Sequence, residues 1–176
     1  MARRLILIST STVFGTRYLE HAYSELRHAF GGIGRVLFIP HALKDRDAYA
    51  AKARPAFEEM GYGLDSLHEA SDPREAIARA QAIFCGGGNT FRLLKALYEM
   101  SVLPLIKERV KDGMVYAGAS AGSNLACPTI RTTNDMPIVQ PPSFDGLGLV
   151  RFQINPHYID PAPDSTHMGE TREVRI

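Results

Sequence analysis

Between residues 114 and 122 the chain reads Met-Val-Tyr-Ala-Gly-Ala-Ser-Ala-Gly, an apolar run that leads into a complete G-x-S-x-G pattern. An apolar strand before this pattern and a helix start after it are the context of a nucleophile elbow. Small residues must flank the serine because the backbone turns sharply there in a strained conformation. The stretch predicts a core strand that presents the Ser120 hydroxyl at the sheet edge. The alternative is a tight turn whose serine only caps the helix.

Outward from this stretch, short apolar runs alternate with longer helical patterns. Strands are predicted over residues 5–8, 36–39, 64–67, 82–85 and 114–117. Helices are predicted over residues 18–30, 48–60, 73–79 and 91–110, the last with a break near 101–104. Apolar strands joined by helical crossovers predict one α/β domain over residues 1–176, a doubly wound, mostly parallel sheet with helices on both faces. Residues 128–156 are rich in proline and are expected to form loops and short strands over the site.

Composition and charge exclude several classes of protein. The chain has 176 residues, of which 45% are hydrophobic, and its 20 basic and 19 acidic residues leave a net charge of +1. This balance provides no global field for nucleic acid or an anionic membrane. The apolar run at 5–8 is too short for a signal peptide, and no other segment could span a bilayer. We therefore expect neither a nucleic acid nor a membrane as partner.

The two cysteines, Cys85 and Cys127, lack the spacing of metal ligands and lie in apolar or tight-turn surroundings. This usage is typical of reduced, mostly buried thiols, and predicts a cytoplasmic protein. No metal or cofactor is predicted. The oligomeric state is left open, a homodimer included.

Three unusual loops fall at the predicted carboxyl ends of strands, at residues 9–16, 86–90 and 118–122. Doubly wound folds form their sites at this edge. The triple glycine at 86–88 could cradle a phosphate or supply N–H donors to an oxyanion, although a G-x-G-x-x-G fingerprint is absent. Its structural alternative is a helix start that merely requires glycine.

A catalytic serine needs a base, and the chain offers six histidines. His157 is the strongest candidate because it follows a strand-like segment at 152–154 and Pro156 restrains the backbone just before it. His167 lies in a polar loop and is less constrained. The other four are expected to be solvated or half-buried and to play no part in catalysis. They are His21, His28, His41 and His68.

Four segments, residues 86–90, 118–122, 124–137 and 153–157, together resemble the peptidase E family. These are α-aspartyl dipeptidases, serine peptidases that share the class I glutamine amidotransferase-like fold. The resemblance covers essentially the whole chain, and the run around Cys127 is its most specific part. It implies a cytoplasmic enzyme that hydrolyses dipeptides with an N-terminal aspartate, Asp-X, through an acyl-enzyme.

The resemblance also implies roles for single residues. Ser120 would be the nucleophile and His157 the general base, while the backbone N–H groups of Gly88 and Ala121 would form the oxyanion hole. Asp135 is predicted as a third catalytic-site residue, which orients the site or binds the substrate ammonium, with an Asn-Asp turn as its structural alternative.

Recognition of the substrate aspartate requires a cation or several donors placed for a short carboxylate. Arg131 and Arg172 are the candidate cations. The alternative for each is an exposed surface arginine that plays no part in substrate binding. Three neutral residues are candidate helpers: Asn89, Thr133 and Thr171.

The acid of the triad is implied, by the resemblance, to come from a segment downstream of residues 169–176. The chain is therefore expected to be C-terminally incomplete or a short form that lacks the last strands. It is also expected to be weakly active or inactive as it stands, because a misoriented histidine lowers turnover about 10⁴-fold. Conceivable substitutes for the acid are Asp135, Asp160 and Glu170.

Other classes stay open. Residues 9–16 resemble a flavodoxin phosphate loop, which would make the chain a flavin- or nucleotide-binding module. A catalytically inactive, peptidase-like binding protein is also conceivable. An α/β-hydrolase esterase is disfavoured because that fold places its acid between serine and histidine, and a glutamine amidotransferase would have cysteine in place of Ser120.

Overall fold

A computed structural model describes residues 3–157 and contains one sheet of five strands, all parallel, in the order β1-β5-β4-β2-β3. The predicted α/β class and parallel sheet are confirmed. The strands are β1 Leu5–Ile8, β2 Arg35–Ile39, β3 Gly63–Ser66, β4 Ala82–Cys85 and β5 Val115–Ala119.

Helices follow the strands much as the apolar patterns predict. They are α1 Tyr23–Phe30, α2 Arg46–Met60, α3 Pro73–Arg79, α4 Thr90–Glu99, α5 Leu103–Lys111 and α6 Ala121–Ala126, with short 3₁₀ helices at Glu20–Ala22 and Leu67–Glu69. Helix α2 begins two residues earlier than predicted because the Asp45 carboxylate accepts the Ala48 N–H at 2.9 Å and caps it. The predicted break between α4 and α5 is confirmed at Ser101, where φ is 54°. Of the helices within residues 3–157, none combines the length and apolarity that a membrane crossing requires.

Helices cover both faces of the sheet, which makes the fold doubly wound. On one face α1 and α2 pack through Phe30 and Phe57 against Phe84, and on the other α3 to α6 pack through residues such as Leu93 against Tyr116. Every residue of β4 and β5 is buried, as expected for central strands covered on both faces. Helix α2, after β2, and α4, after the neighbouring β4, lie on opposite faces, so a crevice opens at the carboxyl ends of these strands.

Two local predictions are wrong in register or type. Strand β5 covers 115–119 rather than 114–117, and its last residues pair Gly118 with Cys85 and Ala119 with Ile8. Gly118 and Ala119, the small residues before Ser120, therefore still belong to the strand. Small side chains are suited to this position because other backbone segments approach the strand closely there. Residues 152–154 form no strand. Between 128 and 157 the described pairing is one isolated bridge, Thr129 with Asp145, within loops.

Both cysteines are buried and free, which confirms the prediction of buried thiols. Burial raises the pKa of the Cys85 thiol to about 12, so this group stays protonated and acts as a small apolar side chain.

His41 departs from the sequence-based expectation of a solvated or half-buried side chain, since it is only 2% exposed. Its Nδ1 atom has no hydrogen-bond partner among residues 3–157. Burial, and then the charges of Arg46 and His68, lower the pKa of His41 to about 4. The neutral imidazole is therefore the form that the folded protein tolerates.

The free energy of unfolding should fall as the pH drops from about 6.5 towards 4, because the unfolded chain protonates His41 before the folded chain does. The slope should approach about 1.4 kcal/mol per pH unit. Urea denaturation across this range measures it. His41→Leu should flatten the curve, whereas the exposed His28→Leu control should keep the wild-type slope. An unchanged slope in His41→Leu would contradict the assignment.

Candidate active site

Ser120 lies on a strained turn between β5 and α6, with φ of 52° and ψ of −109°. Its N–H donates to the Ile8 carbonyl at 2.9 Å, and its own carbonyl accepts the N–H groups of Ser123 and Asn124. The turn is therefore tied to β1 on one side and to α6 on the other. Its side chain makes no capping hydrogen bond with α6, so the alternative of a helix-capping serine is not what the fold contains.

The two glycines of the pattern are required by close packing. A Cβ at Gly122 would lie 2.2 Å from the Cys85 carbonyl oxygen, and a Cβ at Gly118 would lie 2.5 Å from the Gly122 carbonyl carbon. Helix α6 thus starts directly against β4 and β5. This contact aims Ser120 out of the sheet edge.

His157 meets the serine from the other end of the chain. Its Nε2 lies 2.8 Å from the Ser120 Oγ, and its backbone N–H donates to the Ser9 hydroxyl at 2.8 Å. For the serine to donate to Nε2, the ring proton must be on Nδ1. The segment before it is held by Thr132, which donates to the Ile154 carbonyl at 2.6 Å, and by a 2.7 Å side-chain bond from Asn134 to Asn155.

The triple glycine packs against the elbow. A Cβ at Gly87 would lie 3.1 Å from the Ser120 Cβ, and Gly88 has a φ of 133°. A Cβ at Gly86 would lie 2.6 Å from the Tyr49 hydroxyl oxygen, and burial raises the pKa of this phenol. Within residues 3–157 the N–H groups of Gly88 and Ala121 have no acceptor. Two unpaired donors beside the serine are what an oxyanion hole needs.

Asp135 lies on the same cleft. Its Oδ2 accepts the Thr90 N–H at 2.7 Å, the Thr90 hydroxyl at 2.5 Å and the Thr133 hydroxyl at 3.0 Å. The carboxylate therefore stands at the start of α4, where the helix dipole favours a negative charge. Thr133, predicted to bind substrate, donates the last of these bonds and so helps to hold Asp135.

Asn89 and Arg131, two of the substrate-binding residues predicted from sequence, contact other groups of the protein. Asn89 caps α4 by accepting the Arg92 N–H at 3.0 Å and donates to the Met136 carbonyl at 2.8 Å. The Arg131 guanidinium lies 5.4 Å from the centroid of the Phe144 ring and does not line the cleft. Four further candidates fall outside the described residues: Asp160, Glu170, Thr171 and Arg172.

The cleft has a volume of about 380 Å³ and brings together residues from five loops and from helix α2. Ser120, His157, Gly88 and Asp135, which the sequence predicts, all line it. Lys52, which no motif indicated, lines it as well. The chain shows no local signal for Lys52, because only the packing of α2 brings this residue to the carboxyl edge of the sheet.

A serine on a strained strand-to-helix turn, with a histidine nitrogen 2.8 Å from its oxygen, defines a serine hydrolase on a doubly wound α/β sheet. The model of peptidase family S51 matches residues 5–176, and the chain belongs to this family. The predicted family and serine-peptidase class are thereby confirmed. The flavin- or nucleotide-binding alternative is not favoured.

Similar proteins agree with this assignment. Peptidase E of Streptomyces coelicolor is 51% identical over 172 residues, which cover 98% of this chain and 71% of the relative. A Drosophila melanogaster protein named as an alpha-aspartyl dipeptidase is 50% identical over 178 residues, covering 99% of this chain and 74% of the relative. The crystal structure of a Listeria monocytogenes protein assigned to peptidase E superposes with a TM-score of 0.71 at 25% identity, over 86% of this chain and 78% of that one.

Proposed function

We propose that the chain hydrolyses dipeptides with an N-terminal aspartate through an acyl-enzyme on Ser120. The observation that carries this proposal is the 2.8 Å contact between Ser120 Oγ and His157 Nε2, in a cleft of about 380 Å³. A cleft of this size suits a small ligand such as a dipeptide. Relatives named peptidase E and alpha-aspartyl dipeptidase, at about half-identical sequence, support the substrate class.

The reaction follows from the groups around the serine. His157 Nε2 takes the hydroxyl proton as Ser120 Oγ attacks the peptide carbonyl carbon, which forms a tetrahedral oxyanion. The N–H groups of Gly88 and Ala121 stabilise that oxyanion, each by roughly 3–4 kcal/mol. The C–N bond then breaks, and His157 returns the proton to the leaving amine. His157 then deprotonates a water molecule that attacks the ester carbonyl, and it returns this proton to Ser120 Oγ as the ester bond breaks and aspartate is released.

Asp135 is suited to the free ammonium of the substrate. Its Oδ2 accepts three hydrogen bonds, whereas its Oδ1 has no hydrogen-bond partner in the described part of the chain. Asp135 lines the cleft, and a carboxylate oxygen without a partner can accept a charge-assisted bond from an ammonium group. An acetylated amino terminus would lose this bond.

We further propose that the protein acts in the cytoplasm. Two buried, unpaired cysteines support a reducing compartment, where thiols stay free.

A panel of dipeptides tests the proposed activity on the full chain. Asp-Leu should be cleaved, and release of leucine measures the rate. Asn-Leu, Glu-Leu and acetyl-Asp-Leu should each react at least about 100-fold more slowly, because each loses or displaces one charged contact. Equal rates on Asp-Leu and Asn-Leu would contradict aspartate recognition. A chain that reacts with a fluorophosphonate but cleaves no Asp-X peptide would contradict the proposed function.

A further inference from the structure

Lys52 brings a positive charge to the cleft of Ser120 and His157. We propose that it is a specificity-determining residue that binds a carboxylate of the substrate. The inference rests on the proposed dipeptidase function and extends it, because it identifies a cation for the acidic substrate among residues 3–157.

The Lys52 ammonium is positioned and available. Its Nζ lies 5.4 Å from the centroid of the Tyr18 ring, which holds it over an aromatic face at the cleft wall. Within residues 3–157 no carboxylate oxygen lies within 4.0 Å of this Nζ, although other exposed cations, such as Arg17, Arg35 and Arg54, have acidic partners. The charge is therefore free for a ligand.

Lys52 is supported by a packed aromatic cluster around Tyr49. Tyr49 precedes Lys52 by three residues on α2, so the two side chains project from the same side of the helix. The Tyr49 ring packs edge-on against Phe38 at 5.0 Å and against Tyr18 at 6.2 Å. The same tyrosine packs against the glycine loop, since a Cβ at Gly86 would lie 2.6 Å from its hydroxyl oxygen. Lys52 thus belongs to the structure that holds the oxyanion loop.

Charges of opposite sign face the serine from opposite faces of the sheet. Lys52 comes from α2 on one face, and Asp135 stands at the start of α4 on the other. Among the described residues that line the cleft, these two are the lysine and the carboxylate. An Asp-X dipeptide carries one ammonium and two carboxylates, so its charges complement both walls. Arg131, one of the two cations predicted from sequence, lies over the Phe144 ring and is not among the residues that line this cleft.

Kinetics of Lys52 variants test the proposal on the full chain. Lys52→Met keeps most of the side-chain stem and removes the charge, and Lys52→Arg keeps the charge. The readout is kcat/KM on Asp-Leu divided by the rate of labelling by a neutral fluorophosphonate, which reports the serine alone. This ratio should fall about 10- to 100-fold in Lys52→Met, mainly through KM, and should recover in part in Lys52→Arg. The exposed Lys111→Met control on α5 should not change it.

A second substrate identifies the carboxylate. Asp-p-nitroanilide keeps the aspartate side chain but lacks a C-terminal carboxylate. An equal fall on both substrates assigns Lys52 to the side chain, and a fall on Asp-Leu alone assigns it to the C-terminus. A change below about twofold on both, or a matching loss of fluorophosphonate labelling, would overturn the proposal. A wild-type chain that is labelled but cleaves neither substrate would overturn the proposed function, and the role of Lys52 with it.

Discussion

Ser120→Ala is expected to lower kcat on Asp-Leu by about 10⁴-fold or more, because the substitution removes the atom that forms the acyl bond. Losses of this order follow removal of the nucleophile in other serine hydrolases, where binding and the oxyanion hole supply the residual rate. The fold should survive, since the φ of 52° is no worse for alanine than for serine. Thermal unfolding of the variant should match that of the wild type.

Labelling by a fluorophosphonate provides a readout that does not depend on the substrate. The wild type should be labelled once per chain, and Ser120→Ala should not be labelled. Ser24→Ala, an exposed serine on α1, is the matched control and should react as the wild type does. Persistent labelling of Ser120→Ala, or persistent hydrolysis of Asp-Leu, would mean that another group is the nucleophile.

Gly122→Ala is expected to lower the free energy of unfolding by about 3 kcal/mol or more, and activity with it. The new methyl carbon would lie 2.2 Å from the Cys85 carbonyl oxygen and 2.9 Å from its carbonyl carbon, and neither atom can move without displacing β4. Helix α6 would have to shift away from the sheet. Ser120 immediately precedes this helix, so its Oγ would move relative to His157 Nε2.

Urea denaturation measures this loss. Gly32→Ala is the matched control, because no atom lies within 4 Å of a Cβ built there, and it should change stability by less than about 1 kcal/mol. A Gly122→Ala variant as stable as the wild type would contradict the predicted clash between the new methyl group and the Cys85 carbonyl. Stability retained together with lost hydrolysis would confine the effect to the geometry of Ser120.

Sequence alone located the parts of the site whose constraints are local. Positions 118 and 122 require glycine because the chain folds back on itself within five residues. This constraint involves only neighbouring residues, so it can be recognised in a short stretch of sequence. The same holds for β1, β4 and α3, whose predicted bounds match the structure. Their apolar runs and flanking polar residues are sufficient to set their ends.

Only the tertiary structure decided which side chains share the cleft. Asn89 and Thr133 carry the chemistry of substrate-binding groups, but the start of α4 uses both for capping and bracing. His41 is polar, yet it is buried together with Ala42 at the start of the loop after β2. These outcomes depend on packing between segments that are distant in sequence, which no short window of letters contains.

The division between the two is physical. Local sterics and hydrophobic periodicity, both legible in the sequence, determined an α/β sheet, an elbow at Ser120 and the family pattern that includes His157. The crossing of α2 over the sheet placed Lys52, and the return of residues 128–157 placed His157 within 2.8 Å of the serine. Side chains far apart in the chain meet only after the core has formed, so the charges of the cleft are a property of the fold.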